Sequence, residues 1–218
     1  MDCSEISTNP HFSLIETLEQ REIKPFIRRE LAGNQGWGLL GKMYQGAGLL
    51  LFGFALIKAF APFMKTRETV YLESIGWGIL FCFTVLIVLH ELIHFFAYLS
   101  VGAKKLSFGM NLKKFIFYVQ ADRQVFNYKQ FKVVALSPAI TVAAISIAGA
   151  IIFFEQPLYY FFLTILAFHS LFCMGDLGLL CFFENRPEDE IYTFDLKKEG
   201  KTYFYKKNKI RFSVIPEN

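Results

Sequence analysis

The chain has 218 residues, 54% of them hydrophobic and 17% aromatic, and a formal net charge of +4. Apolar usage in soluble domains is about 45–50%, so the composition is too apolar for an ordinary soluble domain. The charge is mild and its basic residues are spread among the polar segments, which gives no reason to expect a nucleic-acid partner. Length fits one domain with small appendages. The four cysteines make no disulfide pattern: Cys82, Cys173 and Cys181 lie in apolar stretches and Cys3 near the start, as reduced packing thiols do.

In chain order, residues 1–43 form a polar segment with Pro10, Pro25 and a charged patch from Glu16 to Glu30. Thr17 to Ile23 is expected to begin a short helix that Pro25 interrupts or restarts. No charged n-region followed by a short apolar core and a small-residue cleavage site opens the chain, so no cleaved signal peptide is expected. Gly33, Gly36, Gly38 and Gly41 predict a flexible approach to a membrane, with Trp37 an interface residue.

Four stretches reach the roughly 20 apolar residues that a transmembrane helix needs: 44–64, 74–101, 133–154 and 158–183. Lys58 is the only charge in the first and is expected to snorkel towards its end. Gly46, Gly48 and Gly53 permit close helix packing. The short connection Glu155-Gln156-Pro157 makes the last two helices an antiparallel hairpin. Between the second and third stretches, residues 102–132 carry two predicted strands, 106–111 and 115–121, as a small sheet at the membrane surface. The tail 184–218 carries three more, at 191–196, 202–205 and 210–215.

The Lys and Arg counts of the connecting segments set the orientation. Residues 1–43 carry five, 64–73 two, 102–132 seven, 155–157 none and 184–218 eight. Alternate segments share a side, giving 20 against 2, so both termini and the 102–132 segment are expected in the cytoplasm. The fold expected is an all-α membrane protein of about four transmembrane helices, with small cytoplasmic β elements after the second helix and in the C-terminal tail. Three parts follow: 1–43, a transmembrane domain at 44–183, and the tail at 184–218.

The chemistry centres on His90-Glu91-Leu92-Ile93-His94 in the second apolar stretch. Residues four apart share a helix face, so His90 and His94 can offer two imidazoles to one metal ion. Glu91 lies beside them, where a carboxylate can take a proton from a water on the metal. Ionisable groups in a membrane-length apolar helix are costly and mark function. Catalytic zinc takes three protein ligands, and the third must come from a similar depth. Asp176 lies seven residues before the end of the fourth helix, close to the depth of His94, and a lone carboxylate there needs a partner. Glu155 falls at the opposite surface, and Glu184 sits two turns away at the boundary. His169 shares the face of Asp176 but lies about 10 Å deeper. It reads as a helix-packing or hydrogen-bonding residue, and Cys173 as ordinary packing.

The polytopic plan, the His-Glu-Leu-Ile-His motif, Gly175-Asp176-Leu177, Leu136-Ser137-Pro138-Ala139 and the segment from Lys104 to Gly109 together resemble intramembrane zinc metalloproteases of the site-2 protease type. Within that type the closest likeness is to the bacterial zincin peptidases whose role is not established, over about residues 70–185. Ser137 stands where those proteases usually carry Gly, Gly-Asp-Leu replaces Leu-Asp-Gly, and Thr141 lies near where an Asn often follows the Pro. The resemblance implies one zinc ion (Zn2+) held by His90, His94 and Asp176, Glu91 as general base, and a membrane protein or peptide as substrate in a lipid bilayer. The alternative reading is a non-proteolytic metal-binding membrane protein with a structural, sensing or transport role. The intact Glu91 favours the enzyme, because a structural site needs no base.

Overall fold

The computed structural model describes residues 3–19, 21–33, 36–111 and 116–208. The chain is mostly helical. Its long apolar runs become α3 (Gly36–Thr66), α4 (Val70–Phe81) continuing through a π-helical turn at Cys82–Leu86 into α5 (Ile87–Ser100), α6 (Tyr128–Ile152), and α7 (Pro157–Phe172) followed by α8 (Met174–Glu184). Three of these units are long and apolar enough to cross a membrane, or four if α7 and α8, bent by 43°, form one span. Their outer faces carry Leu50, Ile57, Met64, Trp77, Ile140 and Ile151, all exposed. Helices apolar on every side are what a lipid environment selects.

Local chemistry sets the helix ends. The Asn127 side chain accepts from the Gln130 N–H at 3.0 Å, and the Gln130 side chain accepts from the Asn127 N–H at 3.2 Å. This reciprocal box starts α6 five residues before the first apolar residue of its run and leaves Pro138 buried in the helix interior. Pro157 occupies the first turn of α7, where its missing N–H costs nothing. Glu155 turns the α6–α7 hairpin at φ 61°.

The glycine-rich stretch before the first long helix is not a flexible approach: α3 starts at Gly36, so Gly38 and Gly41 are helical and buried. A Cβ at Gly41 would meet Leu177 Cδ1 at 2.8 Å, and one at Gly48 would meet Ser170 Oγ at 2.9 Å and Ala167 Cα at 3.1 Å. These glycines let α3 lie against α8 and α7. Of the three later glycines expected to pack closely, only Gly48 does; Gly46 and Gly53 face open space.

Among the described residues, two antiparallel sheets complete the fold. β2 (Leu106–Asn111) and β3 (Ile116–Ala121) form a hairpin in the register Leu106↔Ala121 to Asn111↔Ile116. The second sheet has the order β1-β6-β5-β4, from β1 (Phe12–Glu19), β4 (Phe126–Asn127), β5 (Ile191–Leu196) and β6 (Lys201–Lys207). The strand expected at 210–215 lies outside the described residues.

β1 overturns the helix expected from Thr17 to Ile23. Its partner β6 lies at the far end of the chain, with Phe12 opposite Lys207 and Glu19 opposite Lys201, and that pairing outweighs local propensity. A helix does follow, α2 (Ile23–Glu30), with Pro25 tolerated in its first turn. α1 (Cys3–Thr8) precedes β1.

The sheet is bolted to the end of α8 by an aromatic cluster. Phe182 lies 4.4 Å from Phe204 of β6 and 5.4 Å from Phe26 of α2, centroid to centroid. Beside it the buried Glu30 carboxylate accepts from Arg186 at 3.1 Å, Asn185 at 2.9 Å and Arg29 at 2.8 Å. The start of the chain thus fixes the end of the helix that carries Asp176.

Candidate metal centre

His90 and His94 sit one turn apart on α5, just after the π-helical turn, and both are buried. A π-helical turn re-phases the side chains that follow it and recurs at functional sites. Asp176 enters from the first turn of α8, straight after the 43° break. Its carboxylate reaches both imidazoles: Oδ2 lies 3.2 Å from His90 Nε2 and Oδ1 lies 3.3 Å from His94 Nε2. The two Nε2 atoms are 3.1 Å apart.

These spacings suit a small divalent cation. Ligand atoms about 2.0 Å from a tetrahedral zinc stand about 3.3 Å from one another. The three residues offer two neutral nitrogens and one carboxylate oxygen, a donor set typical of a zinc site with a position left for water. Each imidazole is oriented from behind. His94 Nδ1 faces the Val134 carbonyl of α6 at 3.1 Å, and His90 Nδ1 faces His169 Nε2 at 3.1 Å.

Glu91, next to His90 on α5, meets the hairpin. Its Oε2 accepts from the Val119 backbone N–H of β3 at 3.0 Å. Phe108, paired with Val119 in the hairpin, stacks on Phe95 of α5 at 5.3 Å. The hairpin therefore runs back along α5 to the level of Glu91, nine residues or roughly 13 Å before the helix ends at Ser100, rather than lying only at its mouth.

A cavity of about 300 Å³ opens on this cluster. Glu91, His94 and Asp176 line one part of it, Tyr118, Val119 and Gln120 of β3 another, and Asp195 and Thr202 of the four-stranded sheet the far wall. Most of the remaining lining is apolar, including Phe126, Phe131, Leu179 and Phe204. Asp195 accepts from the Thr202 hydroxyl at 2.6 Å. Burial pushes its carboxyl up to about 6, and nearby Asp122 adds to this against the hydrogen bonds from Thr202 and Gln120.

Of the residues weighed from sequence, the fold brings His90, Glu91, His94 and Asp176 together. Glu184 is elsewhere, capping α3 through the Trp37 N–H at 2.8 Å and accepting from the Tyr128 hydroxyl at 3.3 Å. His169, read as a helix-packing or hydrogen-bonding residue, does meet the site: its Nε2 lies 3.1 Å from His90 Nδ1. Cys173 joins it, with Sγ 3.4 Å from His169 Nδ1. The roles of Val119, Val134 and Asp195 carry no sequence signal, because they depend on neighbours brought from other elements.

No curated protein and no solved structure matches the chain. Residues 83–191, half of the chain, match the family described as "Putative zincin peptidase". That span takes in the motif helix, the hairpin and Asp176, and the chain belongs to this family.

Proposed function

We propose that the protein is an intramembrane zinc metallopeptidase that cleaves membrane-associated polypeptides near the cytoplasmic face. The observation that carries this reading is the convergence of His90 Nε2 and His94 Nε2, 3.1 Å apart, on the Asp176 carboxylate, whose Oδ2 lies 3.2 Å from the first and Oδ1 3.3 Å from the second, with the Glu91 carboxylate on the same cavity. Family membership implies a metallopeptidase and zinc.

Zinc, when bound, lowers the pKa of a coordinated water from about 15.7 towards 7 and polarises the scissile carbonyl. His90, His94 and Asp176 would hold it, and Glu91 would take the proton of the attacking water and pass it to the leaving amine. A transmembrane helix hides its peptide groups, so a substrate must be unwound to be cut. The β3 backbone beside Glu91 supports a site where an extended segment lies along a strand.

Topology supports the orientation. β1, β4 and β5–β6 share one sheet, so the N-terminal, 102–132 and C-terminal segments lie together. That requires an even number of crossings, which four spans with α7–α8 as one bent unit supply. Those same segments hold the 20 basic residues of the charge count, which supports their assignment to the cytoplasm.

Metal analysis of the purified full-length protein tests the ligand set, with about one zinc per chain expected and little in Asp176→Ala. Expression of Glu91→Gln in cells, followed by identification of trapped membrane proteins, tests the activity. Cleavage that survives Glu91→Gln, or undiminished zinc in Asp176→Ala, refutes the corresponding part of this reading.

A further inference from the structure

The His90 imidazole is gripped at both ring nitrogens by residues seven apart on either side of the α7–α8 break. Asp176, just after the break, faces Nε2 at 3.2 Å, and His169, just before it, faces Nδ1 at 3.1 Å. His169 and Cys173 are fully buried, so no bulk water is at hand to replace either partner.

The arrangement fixes the hydrogens by elimination. Once His90 Nε2 gives its lone pair to a cation, the ring proton must sit on Nδ1, which becomes a donor. His169 Nε2 is then obliged to accept, which places the His169 proton on its own Nδ1. Cys173 Sγ lies 3.4 Å from that nitrogen and 3.7 Å from His169 Nε2, over the ring rather than in line with the Nδ1–H. His94 has a different arrangement, its Nδ1 facing a single backbone carbonyl, Val134 O, at 3.1 Å. A residue that merely fills space has no need to aim a ring nitrogen at the back of a ligating imidazole.

We infer that His169 is a positioning residue for the metal centre: its buried Nε2 accepts from His90 Nδ1–H and holds His90 in the tautomer and orientation that ligate. The inference rests on the metal-centre reading above. His90, His169 and Cys173 also form a compact donor group that a second cation could occupy. The bond opposes that use, because it engages His90 Nδ1 and His169 Nε2 with each other.

The test is zinc affinity of the detergent-solubilised full-length chain, measured by competition with a chromophoric chelator. His169→Leu removes the acceptor and is expected to weaken zinc binding about 10–100-fold, the usual effect of losing an orienting partner. His169→Gln restores an acceptor oxygen and is expected to recover most of that loss. Cys173→Ala, which removes the sulfur lying over the His169 ring, should bind close to wild type. Cobalt loaded into the wild type should show no sulfur-to-metal charge-transfer band, a readout that needs no variant to fold.

Wild-type affinity in His169→Leu, equal losses in the Gln and Leu variants, or a sulfur charge-transfer band would each overturn the inference while the metal centre stands. A wild type that takes up no zinc would bring down the metal centre itself, and this inference with it.

Discussion

The Glu91 carboxylate of α5 accepts the backbone N–H of Val119 of β3 at 3.0 Å, so the proposed general base and the hairpin are one hydrogen-bonded unit. The bond separates the chemical role of Glu91 from its structural one. Glu91→Gln keeps an acceptor oxygen and should cut peptide hydrolysis about 10²–10⁴-fold, with thermal stability unchanged. Glu91→Ala orphans the Val119 N–H and should cost a further 1–3 kcal/mol or about that, read as a lower unfolding temperature than that of the Gln variant. Equal unfolding temperatures for the two variants would mean that the bond does not hold the hairpin.

Asp195 gives the cavity wall its own pH dependence. Its carboxyl titrates at about 6 when folded against an ordinary 3.8, so the folded chain binds the proton more tightly than the unfolded chain does. The contribution is therefore most favourable below 3.8 and is lost as pH rises to about 6 and beyond. Asp195→Asn, which still accepts from Thr202, should unfold at a higher temperature than wild type at pH 8. The gap should close towards pH 4. A gap independent of pH would disprove the assignment.

Glu30 behaves in the opposite way. Burial works to raise its carboxyl, but hydrogen bonds from Arg186, Asn185 and Arg29 outweigh burial and hold it below the ordinary 4.5. Its stabilisation is present above 4.5 and is lost as pH falls through the lower folded value. Glu30→Gln should cost about 1–3 kcal/mol at neutral pH by weakening charged hydrogen bonds. The loss should shrink in acid, as thermal melts at pH 7 and pH 3 would reveal.

Gly48 tests how tightly the long helices pack. A Cβ there meets Ala167 Cα as well as Ser170 Oγ, and backbone cannot swing aside as a side chain can. Gly48→Ala should destabilise by about 1–3 kcal/mol, the usual cost of overpacking. Gly46→Ala one half-turn away, with open space around it, should not destabilise. Melting both variants in the same detergent gives the comparison.

The site was legible where its information is local. The i, i+4 histidines, the adjacent carboxylate and the lone Asp176 stand out because charge in an apolar helix is conspicuous. The hairpin at Leu106–Asn111 and Ile116–Ala121 was legible too, from its β-branched and aromatic residues. What escaped depends on partners far along the chain. β1 looks helical until β6 is set beside it, and the partner of His169 shows only once α5 lies beside α7. The start of α3 escaped because four glycines resemble a linker, and only the facing surfaces of α7 and α8 show what their missing side chains make room for.

The pairing of Phe12 with Lys207 also sets an order of assembly. At about 5–20 residues per second, synthesis leaves β1 waiting some 10–40 s for its partner while every apolar helix emerges. Until then β1 presents an open strand edge, and the cavity lacks Thr202 and Phe204. A chain stopped before Lys201 would already own His90, His94 and Asp176, yet it would leave β1 unpaired and the far wall of the cavity unbuilt. Among the described residues, pairing of β6 with β1 comes after delivery of Asp176 and completes the four-stranded sheet.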